Sequence, residues 1–455
     1  MSEYRSRVAV ALGSGARFAG LHASGGVVRT ALVEPGGRLQ IEHTAVEDGR
    51  VESIVDLTAA ANWDEREAAD LYGVRFDGHE PLRPLAVHDL DLRSWTVPVR
   101  GGDAYQIAVG PIHAGVIESG HFRFHVVGDR ILHLDARLFY KHRGLERAAE
   151  GHTLEAGLAY VARACGACAV TNAVAYAQAC EQVLGRRPTA EVARARTILL
   201  ELERLWSHLN DIAAVCAGVG LAAGAMEFTA LAERARRLNA RLTGHRFLFG
   251  SVAVGGSSVA FEVDEARDEL ASIRAESERA WRELLFNASF SDRLPDIGVV
   301  LREDAIALGA VGPAARASGL AEDARATAGL LAYDGFETIV PRRAAGDVQA
   351  RLEQRALEVQ QTFDLLASLL DAPVTPSECE RTEPAGPIGA ARIESPRGAT
   401  LCIVESANGH VDRLRLRTGS YANWPVVAHA AAGNLLPDFP LINKSFELCY
   451  ACADR

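Results

Sequence analysis

Apolar residues recur at helical spacing through the middle of the chain. Ile198, Leu202, Leu205, Leu209 and Ile212 step by three and four positions, which places them on one face of a long helix. Arginines and acids interleave with that stripe in RARTILLELERLW and read as its solvated face. Helical spacing also runs through GHTLEAGLAYVA, AVAYAQACEQVL, TALAERARRLNARL and DEARDELASIRAESERAWRELL. Elsewhere the period is two. HFRFHVVGDRILHLDARLFY alternates on both sides of Gly128-Asp129, and ATLCIVESANGHVDRLRLRT does so around Asn408-Gly409, so each predicts a hairpin.

The first hundred residues form a smaller mixed pattern. RVAVALGS and GRLQIEHTAV have strand composition, whereas NWDEREAADLYGV has the acidic start and apolar spacing of a helix. FDGHEPLRPL, with Pro81 and Pro84, is turn-rich and marks a division near residue 95. The expected fold is therefore α+β: a helical-bundle core flanked by β-hairpins over 96–455, preceded by a small truncated N-terminal α/β unit over 1–95. No internal repeat is visible, and GSVAVGGSS lacks the context of a phosphate cradle, so it reads as a loop.

Composition narrows the function. A chain of 455 residues exceeds the usual size of one domain, and 48% hydrophobic residues supply a sizeable core. The net charge of -11 argues against nucleic acid as a partner, since phosphate affinity is built from clustered Lys and Arg. No stretch has the uninterrupted apolar length of a bilayer span, and MSEYRSRVAVALGSGARFAG makes a poor signal peptide, so a cytoplasmic location is expected. In a reducing compartment eight cysteines favour metal binding, catalysis or burial over disulfides.

Four of those cysteines form two C-x-x-C pairs, Cys165 with Cys168 and Cys449 with Cys452, separated by most of the chain. Gly166 is expected to permit a tight backbone that presents the first pair at a helix junction. Three readings stay open: a structural zinc site, accidental spacing, or a thiolate-rich catalytic centre for soft or borderline metals. Zinc ribbons usually space their pairs by only ~15–20 residues. Cys180, Cys216, Cys379 and Cys402 stand singly in apolar surroundings and read as core, leaving no further cysteine group suited to an iron-sulfur cluster.

The R-x-C-G-x-C and C-x-x-C-x-x-R motifs resemble those of the large subunit of NiFe-hydrogenases, specifically the energy-converting, membrane-associated (group 4, formate hydrogenlyase-type) family. That family is related to the quinone-site hydrophilic subunits of respiratory complex I. GPIHAGVIESGHFRFHVVGDRILHLDARLFYKHRGLE and IESPRGATLCIVES resemble the start and a late hairpin of that large subunit. ANWDEREAADLYGVRFDGHEPLRPL resembles the end of the small hydrophilic subunit that precedes it or is fused to it.

The resemblance implies a membrane-associated hydrogenase that reduces protons reversibly at a NiFe centre. Cys165 and Cys449 would be terminal nickel ligands; Cys168 and Cys452 would bridge nickel to an iron carrying cyanide and carbon monoxide. Cys449 would take the proton, Glu118 would relay it, and Arg397 would lie over the centre and bond the cyanide ligands. Read without the resemblance, Glu118 is a carboxylate paired with Arg123 and Arg397 a surface turn arginine. His113, His121 and His208 read as structural. The implied partners are an iron-sulfur small subunit bearing a 4Fe-4S cluster, a ferredoxin-like subunit, integral membrane subunits and maturation factors. The assembly would sit on the cytoplasmic face of the cell membrane.

Departures from the family pattern are Asn172, where His is common, and Glu447-Leu448, where Asp-Pro is common. They keep a rival in view: a complex I-like subunit without hydrogen turnover, with a quinone-site or coupling role. Arg455 is the position where the family's maturation protease cuts, so the sequence is expected to be a processed form or one encoded without a tail.

Overall fold

The computed structural model describes residues 2–88, 95–99, 101–113 and 118–455. Residues 89–94, next to the expected division, and 114–117, within GPIHAGVIESGH, lie outside the described residues. The long central helix is Ala190–Gly218, and all five residues of the predicted stripe are buried in it. Thr189 starts this helix by accepting a hydrogen bond from the Val192 N–H, which satisfies one donor that the first turn leaves open. Ala169–Leu184, Ala222–Thr243, Val348–Leu369 and Phe439–Phe446 pack around it. Asp264–Leu285 packs outside, against two of these.

That wrapping overturns the expected solvated face. Arg196, Glu201, Glu203 and Arg204 are fully buried, because a helix covered by neighbours on several sides leaves them no water to face. Buried charges must be paired. Arg196 forks onto Glu181 at 2.9 and 2.5 Å, and Arg204 meets Glu201 at 3.2 Å. Farther along, Glu358 accepts from Arg316 at 2.9 Å and contacts the His208 ring at 2.8 Å. Arg316 also reaches Glu394 at 2.9 Å and Asp323 at 3.2 Å. Glu358→Ala leaves Arg316 and His208 short of their shared carboxylate. A loss of about 3–5 kcal/mol in urea unfolding is expected, and a loss near the roughly 0–1 kcal/mol of an exposed pair would contradict the pairing.

Both hairpins form. His121–Val127 pairs antiparallel with Arg130–Arg137 and with Tyr105–Val109; Gly398–Ala407 pairs with Ile388–Ser395 and with His410–Arg417. Asn408 and Gly409 at the second tip have φ of 52° and 77°, the left-handed pair that a tight hairpin turn requires. This second sheet lies on Ala169–Leu184 and meets the N-terminal sheet through Ala19, Ala31, Leu401 and Ile403.

The N-terminal section holds a meander of Arg17–Ser24, Val27–Val33 and Leu39–Ala45, then helix Asn62–Tyr72 and a short parallel pair, Arg50–Glu52 with Arg75–Asp77. RVAVALGS is not a strand: it lies largely in helix Glu3–Gly13, capped by Ser2, with Tyr4, Val8 and Ala11 buried and Val10 exposed. Its alternation covers too few residues to outweigh that four-then-three spacing. GSVAVGGSS is likewise not all loop, since Val252–Ala253 and Gly256–Ser257 form a two-residue ladder. The fold is α+β, a helical core flanked by hairpin sheets behind a small N-terminal α/β unit. No single helix among the described residues is long and apolar enough to cross a membrane.

Candidate metal centre

The first cysteine pair sits where the chain bends by 120° between Leu154–Ala162 and Gly166–Leu184. The Cys165 thiol accepts from the Ala167 N–H at 3.3 Å. Glu203 of the central helix accepts from the Val170 N–H at 2.6 Å and from the Thr171 N–H and hydroxyl at 3.1 and 2.7 Å. It thereby caps the helix that begins just after Cys168. Gly166 does not enable this bend: it needs no left-handed φ, and an added Cβ would make only ordinary contact with Phe247 at 3.8 Å.

The second pair follows helix Phe439–Phe446, which Glu447 ends in the left-handed region at φ 47°. Three contacts then hold the short helix Tyr450–Asp454. Glu118 accepts from the Tyr450 and Ala451 N–H groups at 2.7 and 3.2 Å. Thr418 donates to the Cys452 carbonyl at 3.0 Å. Asp454 accepts from the Phe139 and Lys141 N–H groups at 2.7 and 2.9 Å. Gly120 is required beneath this helix, since a Cβ there would lie 2.5 Å from the Tyr450 ring.

These elements bring together the two pairs that the sequence separates. The sulfurs of Cys165, Cys168, Cys449 and Cys452 all lie within 4.8 Å of one another; Cys449 is half-buried and the others buried. Contact with Cys168 and then with Cys449 and Cys452 holds the Cys165 thiol well below its usual range, while contact with Cys165 first pushes Cys168 and Cys452 well above theirs. Four thiolates together call for cationic charge. With metal–sulfur bonds of about 2.3 Å, ions among them reach every sulfur. The donor set fits borderline transition metals. A cavity of about 940 Å³ adjoins it, lined by Cys165, Cys449, Glu118, Arg397, Phe122 and Phe439. Such access suits a catalytic site, whereas structural zinc sites are closed.

Arg397 is buried, not a surface arginine. It lies in the turn joining Ile388–Ser395 to Gly398–Ala407, and it donates to the Glu447 carbonyl at 3.0 Å, to Asp211 at 2.9 Å and to the Ser207 hydroxyl. Gly398, at φ +120°, lets this turn lie against Gly312, where a Cβ would come within 2.7 Å of backbone nitrogen. Glu118 is not paired with Arg123, which donates instead to Gln106. Burial and then Cys449 push the Glu118 carboxyl up to about 6.

The histidines have protein partners: His113 with the Gly120 carbonyl, His121 with that of Gly110, His208 with Glu358. Cys180, Cys216 and Cys402 are buried, whereas Cys379 is only half-buried. Asn172, one helical turn past Cys168, is fully buried with neither amide atom hydrogen-bonded among the described residues. Sequence reasoning missed Asp211, Ser207 and Glu203. The visible signal for Asp211 is a carboxylate directly beside Ile212 of the apolar stripe.

Comparison with known proteins places the chain among respiratory and hydrogenase subunits. The family described as "Respiratory-chain NADH dehydrogenase, 49 Kd subunit" matches residues 219–385 and 376–455. The one described as "Respiratory-chain NADH dehydrogenase, 30 Kd subunit" matches 27–101. Formate hydrogenlyase subunit 5 of Escherichia coli (strain K12) is 31% identical over 89% of this chain and 76% of that protein. A subunit of the NADH-quinone oxidoreductase of Akkermansia muciniphila is 27% identical over 78% of this chain and 94% of its own length. A solved chain from the membrane-bound sulfane sulfur reductase, an archaeal respiratory membrane complex, superposes with a TM-score of 0.71 at 26% identity. It covers 78% of this chain and 99% of its own.

Proposed function

The chain belongs to the energy-converting, membrane-associated NiFe-hydrogenase large-subunit family, which is related to the quinone-site subunits of complex I; on that premise we propose that it is the catalytic large subunit of such a hydrogenase. The observation that carries this reading is the convergence of all four thiols beside Arg397 and an accessible cavity. Cys165, Cys168, Cys449 and Cys452 would together hold the nickel and iron of such a centre. When bound, this pair would supply the reversible heterolytic cleavage of dihydrogen.

The chain's own residues would handle the proton. The half-buried Cys449 sulfur accepts it, and Glu118, fixed on the backbone beside Cys449 by the Tyr450 and Ala451 N–H groups, passes it to the cavity. A carboxyl raised to about 6 exchanges protons near neutrality. The sign depends on direction. Hydrogen oxidation needs the carboxylate as acceptor and rises as pH climbs through about 6; proton reduction needs the acid and falls there. Glu118→Gln is expected to slow dihydrogen–water isotope exchange roughly 10²-fold and remove that limb, with metal content unchanged. A variant that keeps both rate and limb would rule out the relay.

The proposal includes a division near residue 95, between a 30 kDa-like unit over 1–95 and a large-subunit unit over 96–455, which the span of the 30 kDa match supports. Electrons would come from an iron-sulfur small subunit with a 4Fe-4S cluster and a ferredoxin-like subunit. Integral membrane subunits would anchor the complex on the cytoplasmic face, and maturation factors would install the metals.

A second reading is favoured by the cavity itself. Its apolar walls, Phe122, Phe439 and Leu448, suit a flat apolar headgroup, and the chain matches a quinone oxidoreductase subunit over most of that subunit's length. On that reading the chain acts in coupling without hydrogen turnover. Isotope exchange by the purified complex separates the two: exchange supports the hydrogenase, and none in a nickel-loaded complex supports the alternative.

A further inference from the structure

The short helix Tyr450–Asp454, which Cys449 precedes and which holds Cys452, is little more than one turn long, and so short a helix has little stability of its own. Its position is set by what grips its two ends. Glu118 holds the first end; at the last, Asp454 accepts from the Phe139 and Lys141 N–H groups, and Arg455 follows. Arg455 is buried and divides its guanidinium between two acids: Nη2 meets Glu67 at 2.6 Å, and Nη1 meets Glu146 at 3.1 Å and donates to the Leu416 carbonyl at 2.6 Å. Its planar head lies over the Tyr421 ring at 4.8 Å.

Glu67 comes from the other end of the sequence. It sits on helix Asn62–Tyr72, inside the stretch matched by the 30 kDa family, and is only 2% exposed. Its second oxygen meets Arg415 at 2.6 Å. Asp64, on the same helix and equally buried, pairs with Arg415 and Arg417 at 2.9 and 3.0 Å. The two acids therefore have separable roles: both tie the N-terminal section to the second hairpin sheet, and Glu67 additionally grips Arg455.

We propose that Glu67 is a positioning residue for the metal-ligating segment: through Arg455 it fixes the helix bearing Cys449 and Cys452, so the 30 kDa-like section holds one half of the thiolate set in register with the other. The consequence for metal rests on the hydrogenase reading; the grip itself does not.

Hydrogen exchange of the full chain in its purified complex tests this, with Glu67→Gln compared with Asp64→Asn. In Glu67→Gln, the amides of 449–454 are expected to exchange at least about tenfold faster than in wild type and in Asp64→Asn, while Ala169–Leu184 keeps its rates. Nickel retained against a chelator falls in parallel. Wild-type rates at 449–454, or equal acceleration in Asp64→Asn, would overturn the proposal. If Glu67→Gln does not accumulate, Arg455→Lys keeps the charge but cannot fork between Glu67 and Glu146, and the same acceleration is expected. A wild-type complex without nickel would contradict the metal reading while leaving the exchange comparison intact.

Discussion

Cys449→Ser is expected to abolish dihydrogen–water exchange and to strip the centre of nickel. The loss should exceed the roughly 10²–10³-fold that follows removal of one fixed electrostatic partner, because the change removes a ligand and the proposed proton acceptor together. A serine hydroxyl is a hard donor that stays protonated where a thiol ionises, so the soft donor set is broken. The backbone should hold: the Cys449 N–H still donates to Ser420, and Tyr450 and Ala451 still meet Glu118. The matched control is Cys216→Ser, a buried cysteine of the central helix outside the four-thiol cluster, which should keep its nickel. Equal nickel in both variants would remove Cys449 from the ligand set.

Arg397→Met comes next in size, with an expected fall in exchange of about 10²–10³-fold and the metal largely retained. Three partners aim this guanidinium: Asp211, Ser207 and the Glu447 carbonyl. Its cost is already met in the folded state, so its field is fixed before reaction, which is what makes a single donor effective. Arg397→Lys should recover little, since an ammonium cannot span three acceptors in one plane. Loss of the guanidinium also leaves Asp211 with Arg355 at 3.1 Å and the His208 ring at 3.7 Å as its remaining partners. Folding stability must therefore be measured beside activity, and a rate loss that tracks unfolding would reassign Arg397 to structure.

Much of this was legible because it is local. The stripe at Ile198 to Ile212, the tip at Asn408-Gly409 and both cysteine pairs are patterns within a few residues, and all appear as read. What could not be read is the fate of charge. Arg196, Glu201 and Arg204 look solvated until Glu181 and Thr362 on other helices, Tyr333 in a loop, and the Glu394 and Ser395 carbonyls of a strand are brought to them. Arg455 and Glu67 are bonded across nearly the whole sequence. Such pairs follow no spacing rule, since they exist only once the core has closed. RVAVALGS failed for the opposite reason: its pattern was local but too short to separate a period of two from a helical one.

The most direct test is the infrared spectrum of the anaerobically purified complex. The hydrogenase account predicts resolved bands from iron-bound carbon monoxide and cyanide that disappear in Cys449→Ser. A metal-loaded complex without those bands, holding zinc among Cys165, Cys168, Cys449 and Cys452, would contradict it.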